Sequence, residues 1–463
     1  MSVLLIDKAN LLKIVVLTGF TFSCFGTFVP YSHANSLNDA LRTGIENSNE
    51  LAASRQAYLS AKQEVVIAGS SKDLAGTFSL SESQTAYDRN NDDRDSYSVS
   101  TLTGAITLTK QLYDFGETTS KKEAAFLALQ IAEAEYYVAE QSTVMAIITA
   151  YLNVIQSKEE VALHQSNFDR LEKQTKAEEL RVEAGVSTIA NLALIRSQEL
   201  RAHSDLISSK AAFENATEEY KSLIGFSPVA LTTPELPALI PLKIKASETR
   251  AYENHPSITL AAASEKIADI QQDILIKSLG PTVDFSVTAK SQNTAGISTT
   301  DGNEVAANLA FSVPILATSS AKAKSQQLIS DSLAARYDRD EIYRSIGLAA
   351  RAGFRNHISA KIQFKASKSE VDAYQLVVDA ITTEVEFGNK TFLDQLDAED
   401  DLKNAKLRKL QANHLVLLTG FQLLQAIGEL TVENLGVGDV LPELQELDSP
   451  EPEFNSIISV INK

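Results

Sequence analysis

The chain has 463 residues, 44% of them hydrophobic and 22% charged, which is the composition of a folded protein rather than of a disordered one. Its formal net charge is -18 at pH 7. Because no surface rich in lysine and arginine is evident, the charge argues against a nucleic-acid-binding protein.

Residues 1–34 have the pattern of a secretory signal peptide. Two lysines precede the apolar run from Ile14 to Val29, and small residues before Ala34 form a cleavage site. The run is shorter than the roughly 20 residues of a spanning helix, which disfavours the competing interpretation as a membrane anchor. Cleavage would remove Cys24, the only cysteine, so no disulfide or thiol-based metal site is expected.

Two copies of one structural plan follow the signal peptide. Matching residues in the two copies differ by 203 positions; they are Tyr151 and Phe354, Asn153 and Asn356, Gly185 and Gly388, Thr188 and Thr391, and Gly225 and Gly428. We therefore predict two internal repeats, residues 35–227 and 257–430. A proline-rich linker, 228–256, joins them and is predicted to be extended, not helical. An acidic tail, 431–463, has no counterpart in the first copy.

Each repeat is predicted to contain a helix, a β-hairpin and a long helical hairpin. From Glu117 to Ala184 there is neither glycine nor proline, which as one helix would extend about 100 Å. Gly185 ends this helix, and the helical hairpin of residues 117–225 is completed by a shorter return. A first helix, beginning at the N-cap Ser36 and ending near Asp73, is expected to stack end to end with that return. The second copy repeats the plan with helices at 257–279, 320–387 and 389–427.

The β-hairpins are predicted at about 76–114 and 282–316. Along each strand, apolar residues such as Phe78 and Leu80 alternate with serine or threonine. Strands of about ten residues with this alternation are typical of outer-membrane barrels. No other apolar run approaches the length of a membrane-spanning helix, so a membrane location of the mature chain would require a barrel. Four strands cannot close one, and a trimer supplying 12 strands is the simplest solution.

Five acidic residues lie close together at the start of the last long helix. They are Asp394, Asp397, Glu399, Asp400 and Asp401. A solvated helix surface is the usual role of such a run. Asp394 and Asp397, however, are three residues apart and share one helical face. This spacing favours the alternative that both side chains point at a molecule or ion that passes the helix.

Three segments resemble the outer-membrane efflux protein family, the TolC-like channels. They are QLYDFG (Gln111 to Gly116), VPILAT (Val313 to Thr318) and GNKTFLDQLDAEDDLKNAK (Gly388 to Lys406). The resemblance covers about Ser36 to Leu430. Each motif alone is weak evidence for the family, but their order and spacing over the two copies are strong evidence.

This resemblance implies a mainly α fold with β-strands. Its trimer would have a 12-stranded outer-membrane β-barrel, four strands per chain, continued by a long periplasmic α-helical barrel, with most of the mass in the periplasm. Family members are passive exit ducts of tripartite efflux pumps or type I secretion systems. They dock on a periplasmic adaptor protein and an inner-membrane transporter of the ABC or RND type. No cofactor or metal is expected for this chain.

The resemblance also assigns roles at the two helical tips, which are marked by Gly185 and Gly388. Asp394 and Asp397 match the acids that line the pore constriction, so a trimer would present six carboxylates that favour cations. Crowding of like charges is expected to raise the pKa of some of them. Thr391 belongs to the same tip motif. Lys390 occupies the position of an arginine that latches the tip in other members, and Lys cannot form the same bidentate contact.

In the first copy, the position that matches Asp394 is Asn191, where an aspartate is common in the family. The polar latch of some members is therefore expected to differ in this chain, while the acidic constriction is retained.

The sequence gives no indication of an enzyme. It has no phosphate-binding or dinucleotide-binding glycine motif and no hydrolase motif, and its six histidines lack ligand spacing. The alternative is a soluble periplasmic or surface helical scaffold, such as an adaptor. An adaptor would be expected to have one helical hairpin and a lipoyl-like β domain, whereas this sequence has two hairpins and four amphipathic strands.

Overall fold

The structure, a computed structural model, describes residues 36–87, 97–295, 301–316, 318–441 and 444. The predicted signal peptide and most of the acidic tail lie outside the described residues. In chain order the helices and strands are α1 (Leu37–Glu46), α2 (Asn49–Gly69), β1 (Ala75–Tyr87), β2 (Tyr97–Tyr113), α3 (Glu117–Glu183), α4 (Ile189–Ile224), α5 (Ile244–Asn254), α6 (Pro256–Ser278), β3 (Thr282–Ala295), β4 (Gly302–Ser312), α7 (Ser319–Glu386) and α8 (Phe392–Ala426).

The predicted first helix is two helices. Ser36 is the N-cap of α1, as predicted, and forms a capping box in which Asp39 N donates to Ser36 Oγ at 3.2 Å. The single helix predicted as far as Asp73 is wrong, because α1 ends before Asn47 and Ser48 begins α2. Ser48 Oγ accepts a hydrogen bond from Leu51 N at 3.2 Å, which satisfies the start of a new helix.

The linker was predicted to be non-helical, and this is wrong for its second half. Its first four prolines end at Pro241, and α5 occupies the proline-free stretch that follows. Pro256 then stands at the first position of α6, where its missing N–H has no helical partner to lose. The prolines therefore mark the ends of the linker's helices and do not exclude helix throughout.

The four strands form one antiparallel sheet in the order β1-β2-β3-β4. The two predicted hairpins are joined by pairing between β2 and β3, a contact between the repeats. Cross-strand partners share a face, and one face is apolar, as in the pairs Phe78 with Ile106 and Phe285 with Leu309. The opposite face is rich in hydroxyl groups, and Thr107 Oγ1 lies 3.2 Å from Thr288 Oγ1.

Two shorter helices pack along each long helix, as predicted. In the first repeat, α2 and α4 contact α3; in the second, α6 and α8 contact α7. The repeats also contact each other directly, because α6 and α8 both pack against α3. A predominantly helical chain with one antiparallel sheet and two structural repeats is therefore confirmed.

The main apolar core lies halfway along the long helices, where the shorter helices begin or end. Tyr151 of α3 and Tyr220 of α4 are fully buried there, with ring centroids 6.4 Å apart. Tyr151 Oη donates to the carbonyl of Thr232 at 2.7 Å, which fixes the linker to α3. Arg250 of α5 forms a two-pronged ion pair with Glu429 after α8 and donates to the Leu239 carbonyl at 2.7 Å.

Contrary to the expectation from the sequence, one helix among the described residues is long and apolar enough to cross a membrane by length and composition. It is α3, which contains an 18-residue stretch with a mean hydropathy of 1.3. Since 56% of that stretch is buried within the chain, it has the character of a core helix.

Candidate functional site at the helical tips

The α3–α4 and α7–α8 turns form two tips with the same backbone design. Gly185 and Gly388 have φ of 73° and 77°, a left-handed conformation that favours glycine. At each tip, the glycine N–H and the next N–H donate to carbonyls of the preceding helical turn, as from Gly185 N to Val182 O at 3.0 Å and Val186 N to Arg181 O at 2.9 Å. The repeated glycines therefore end both long helices.

A threonine begins the returning helix at each tip. Thr188 Oγ1 accepts from Asn191 N at 3.2 Å, and Thr391 Oγ1 accepts from Asp394 N at the same distance. Only the second tip completes a capping box, in which Asp394 Oδ2 accepts from Thr391 N at 2.8 Å. Asn191 instead donates weakly to Ser187 Oγ at 3.4 Å.

The capping box sets the charge state of Asp394. Hydrogen bonds from the Thr391 hydroxyl and backbone N–H, together with the positive charge of exposed Lys390, lower the pKa of Asp394. Within one chain this effect is the opposite of the increase expected for a crowded ring. At neutral pH the carboxylate is ionised and adds a negative charge to the positive end of the helix dipole.

Asp397 lies one turn further along α8. Its side chain is exposed, while Leu396 and Ala398 on either side are buried. The acid therefore lies on a solvent-exposed surface of α8 in the single chain.

The other three acids of the run have different surroundings. Glu399 forms an ion pair with Arg170 of α3 and accepts from Gln174 Nε2 at 3.1 Å. Asp400 accepts from Lys403 Nζ of its own helix at 2.6 Å, and Asp401 is exposed. Asp401 therefore lies on a solvated helix surface, whereas Glu399 is part of an ion pair between helices. Sequence reasoning did not identify Arg170, which lies 229 residues away from its partner and has no local signal.

Among the residues that the structure describes, no group of three or more His, Cys, Asp or Glu side chains could hold a metal ion. The tips combine exposed carboxylates with exposed apolar side chains, including Ile189 and Phe387, which are 77% and 78% exposed. This arrangement offers charge and an apolar contact surface, and it has the chemistry of a channel entrance or a docking site.

Comparison with known proteins gives one consistent result. The family model for outer membrane efflux proteins matches residues 40–225 and 249–429. The chain is 25% identical to the outer membrane efflux protein BepC of Brucella suis over 87% of this chain and 88% of BepC. It is 24% identical to TolC of Escherichia coli over 72% of this chain and 70% of TolC.

Solved structures show the same fold. The CmeC outer membrane channel of Campylobacter jejuni aligns with a TM-score of 0.74 and 14% identity, over 85% of each chain. The open-state MtrE outer membrane channel of Neisseria gonorrhoeae aligns with a TM-score of 0.70 and 16% identity, over 85% of this chain and 89% of MtrE.

The family comprises transport channels, not enzymes. The predicted location, the outer membrane with a large periplasmic helical part, is confirmed. The two matched segments cover most of the two repeats, and residues 226–248, which include the proline-rich first half of the linker, lie between them. The chain therefore belongs to the outer membrane efflux protein family.

Proposed function

We propose that three copies of this chain form a passive exit duct, gated at its periplasmic helical tips, in a tripartite efflux pump or a type I secretion system. The observation that supports this most directly is the exposed apolar face of the β-sheet. Its apolar face is solvent-exposed, with Phe78, Val305 and Phe311 each more than 70% exposed. A water-soluble protein would bury such a surface, whereas a lipid bilayer covers it.

The edges of the sheet support the trimer. Within the described chain β1 pairs with β2 and β4 pairs with β3, so each outer strand has one side left for another partner. Unpaired strand edges are intolerable in lipid, because no water is present to satisfy their hydrogen bonds. Three copies joined from β4 to β1 close a barrel of 12 strands with its hydroxyl-rich face towards the lumen.

The helical layer supports the same assembly. Towards the tips α4 packs on α3, α3 on α8 and α8 on α7, so α4 and α7 form the layer's edges. Both have exposed apolar residues at helical spacing: Ile189, Leu200 and Ile207 on α4, and Leu348, Ile362 and Leu376 on α7. A second copy that brings its α4 against α7 would cover both faces.

Cysteines at Leu200 and Leu376 test this contact. Both residues lie about the same number of helical turns above their tips, so in a trimer they should meet across the subunit boundary. Purified L200C/L376C protein, oxidised and run on a non-reducing gel, should give covalent dimers and trimers. The control pair L200C/L242C uses an exposed linker residue and should stay monomeric. A monomeric L200C/L376C species would contradict the α4-to-α7 assembly.

The function itself is tested by fractionation and conductance. The expressed protein should be recovered from the outer membrane as a detergent-extracted trimer and should form discrete channels in a planar bilayer. A soluble periplasmic monomer without conductance would contradict the duct and favour a helical scaffold.

The partners proposed are a periplasmic adaptor and an inner-membrane transporter of the ABC or RND type. The exposed apolar side chains at the tips support docking of another protein at this end. Copurification of the crosslinked trimer with both partners would identify the system, and loss of the complex on Phe387→Asp would place the contact at the tip.

Because of the capping box, the pH dependence of the channel's cation preference should depend on Thr391. A depressed pKa keeps Asp394 ionised to a lower pH than an ordinary aspartate, and its capping contribution is lost as pH falls through the folded-state pKa. Thr391→Val removes the hydroxyl, so the pKa of Asp394 should rise and the cation preference of the channel should be lost at a higher pH. The control is Thr188→Val at the first tip, where the threonine hydroxyl accepts from Asn191 N and no carboxylate is involved. This variant should leave the pH profile unchanged.

A further inference from the structure

An ion pair with further hydrogen bonds joins the two helical hairpins just above the second tip. Glu399 of α8 is paired with Arg170 of α3, and its side chain is only 12% exposed. Gln174 Nε2 and Gln395 Nε2 each donate to Glu399 at 3.1 Å. Arg170 in turn donates to Asn167 Oδ1 at 2.7 Å. Both oxygens of the carboxylate are therefore bound, and the arginine is held in one orientation.

A small apolar cluster lies beside the Arg170–Glu399 ion pair. Leu171, Ile195, Ala202 and Leu396 from α3, α4 and α8 form a buried cluster separate from the main core. The cavity beside Arg170 and Leu396 measures only about 20 Å³, which is room for a water molecule and not for a ligand. Near the tip, α8 is therefore held on the α3–α4 hairpin by this apolar cluster and, on α3, by one hydrogen-bonded ion pair.

The internal repeat does not duplicate the Arg170–Glu399 ion pair. At the related positions of the other copy, Arg170 corresponds to Ala373 and Glu399 corresponds to Arg196. The glycine and threonine of the tips are duplicated, whereas this pair is not. It occurs at the junction that fixes the helix with Asp394 and Asp397.

We propose that the Arg170–Glu399 ion pair is a positioning device that holds the acid-bearing start of α8 against α3 and so keeps the tip narrow. This inference rests on the proposed function as a gated duct. Glu399 lies two residues after Asp397 and five after Asp394, which is about 3 and 8 Å along the helix axis. Because α8 is continuous there, a shift of Glu399 away from Arg170 moves both acids.

The test uses the full-length trimer in planar bilayers with four variants: Arg170→Glu, Glu399→Arg, the exchange R170E/E399R, and the isosteric Glu399→Gln. Each charge reversal places like charges in contact, so the resting conductance should rise severalfold over the wild type. Glu399→Gln should give a smaller rise. The exchange restores an ion pair, so its conductance should return close to the wild-type value. A purely structural role in folding would instead change the melting temperature and leave the conductance of assembled trimers unchanged.

A matched control lies on the same helix. Arg408 of α8 is paired with Glu370 of α7, within one hairpin, at 2.7 Å. Arg408→Glu should leave the resting conductance unchanged, and thermal melting of the trimer checks that all variants are assembled.

The outcomes separate the two proposals. Inserted trimers of Arg170→Glu with wild-type conductance, or an exchange variant that stays open, would overturn the positioning role and leave the duct intact. A wild-type trimer without any conductance would overturn the duct itself. If the charge reversals do not assemble, Glu399→Gln with unchanged conductance would also overturn the positioning role.

Discussion

Replacing Asp394 and Asp397 with asparagine should bring the cation-to-anion permeability ratio of the trimer close to one. In the proposed assembly the two acids supply six carboxylates at the narrowest point, where charges act at close range and select cations. Asparagine keeps an acceptor oxygen for the Thr391 N–H, so α8 should still begin at the same residue. The reversal potential under a salt gradient measures the ratio directly.

The control for this prediction removes the same charge elsewhere. Glu46 and Glu253 are exposed acids on α1 and α5, distant in sequence from either tip. E46Q/E253Q should keep the cation preference of the wild type. If the tip variant keeps it as well, Asp394 and Asp397 do not face the lumen.

Gly428→Ala should be among the most destabilising single substitutions in the chain. Gly428 ends α8 with φ of 78°, and a Cβ there would lie 2.6 Å from His255 Cα and 2.7 Å from the Asn254 carbonyl oxygen. These are backbone atoms at the junction of α5 and α6, which cannot move aside without displacing both helices. The cost of the left-handed conformation plus the overlap is about 2 to 5 kcal/mol, and a large fall in the melting temperature of the trimer is expected.

Gly185→Ala isolates the conformational part of this effect. Gly185 has a similar φ of 73° in a helix end of the same type, but no atom lies within 4 Å of its Cβ position. Its substitution should cost about 1 kcal/mol and lower the melting temperature only slightly. Equal effects at the two glycines would show that crowding at Gly428 is relieved by movement of the neighbouring backbone.

The tip residues illustrate which parts of the site were predictable. Gly185, Gly388 and Thr391 act through the backbone within a few residues, so their roles as helix end and helix cap can be inferred from local sequence. The capping role of Asp394 is equally local, whereas the resemblance predicts only a pore-lining role for this carboxylate. The orientation of Asp397 and Asp394 towards a lumen stays a prediction.

The linker shows the opposite case. Its prolines predict an extended segment, but their effect reaches only the neighbouring residues, and α5 forms between Pro241 and Pro256. It is stabilised by tertiary contacts, including the ion pair of Arg250 with Glu429 and the stacking of Tyr252 on Tyr343 at 6.0 Å. Tertiary packing therefore stabilises a helix that the composition of the linker did not predict.

By itself, the sequence determined the duplicated plan, the long helices, the glycine and threonine ends of the tips and the alternation of the strands. These features follow from backbone geometry and from periods of 3.6 and 2 residues, which any single segment displays. Only the tertiary structure decided that β2 pairs with β3, that α8 packs on α3, and that Arg170 meets Glu399. Each of these contacts joins segments far apart in the chain, so it depends on which surfaces meet after folding, and no local pattern encodes that choice.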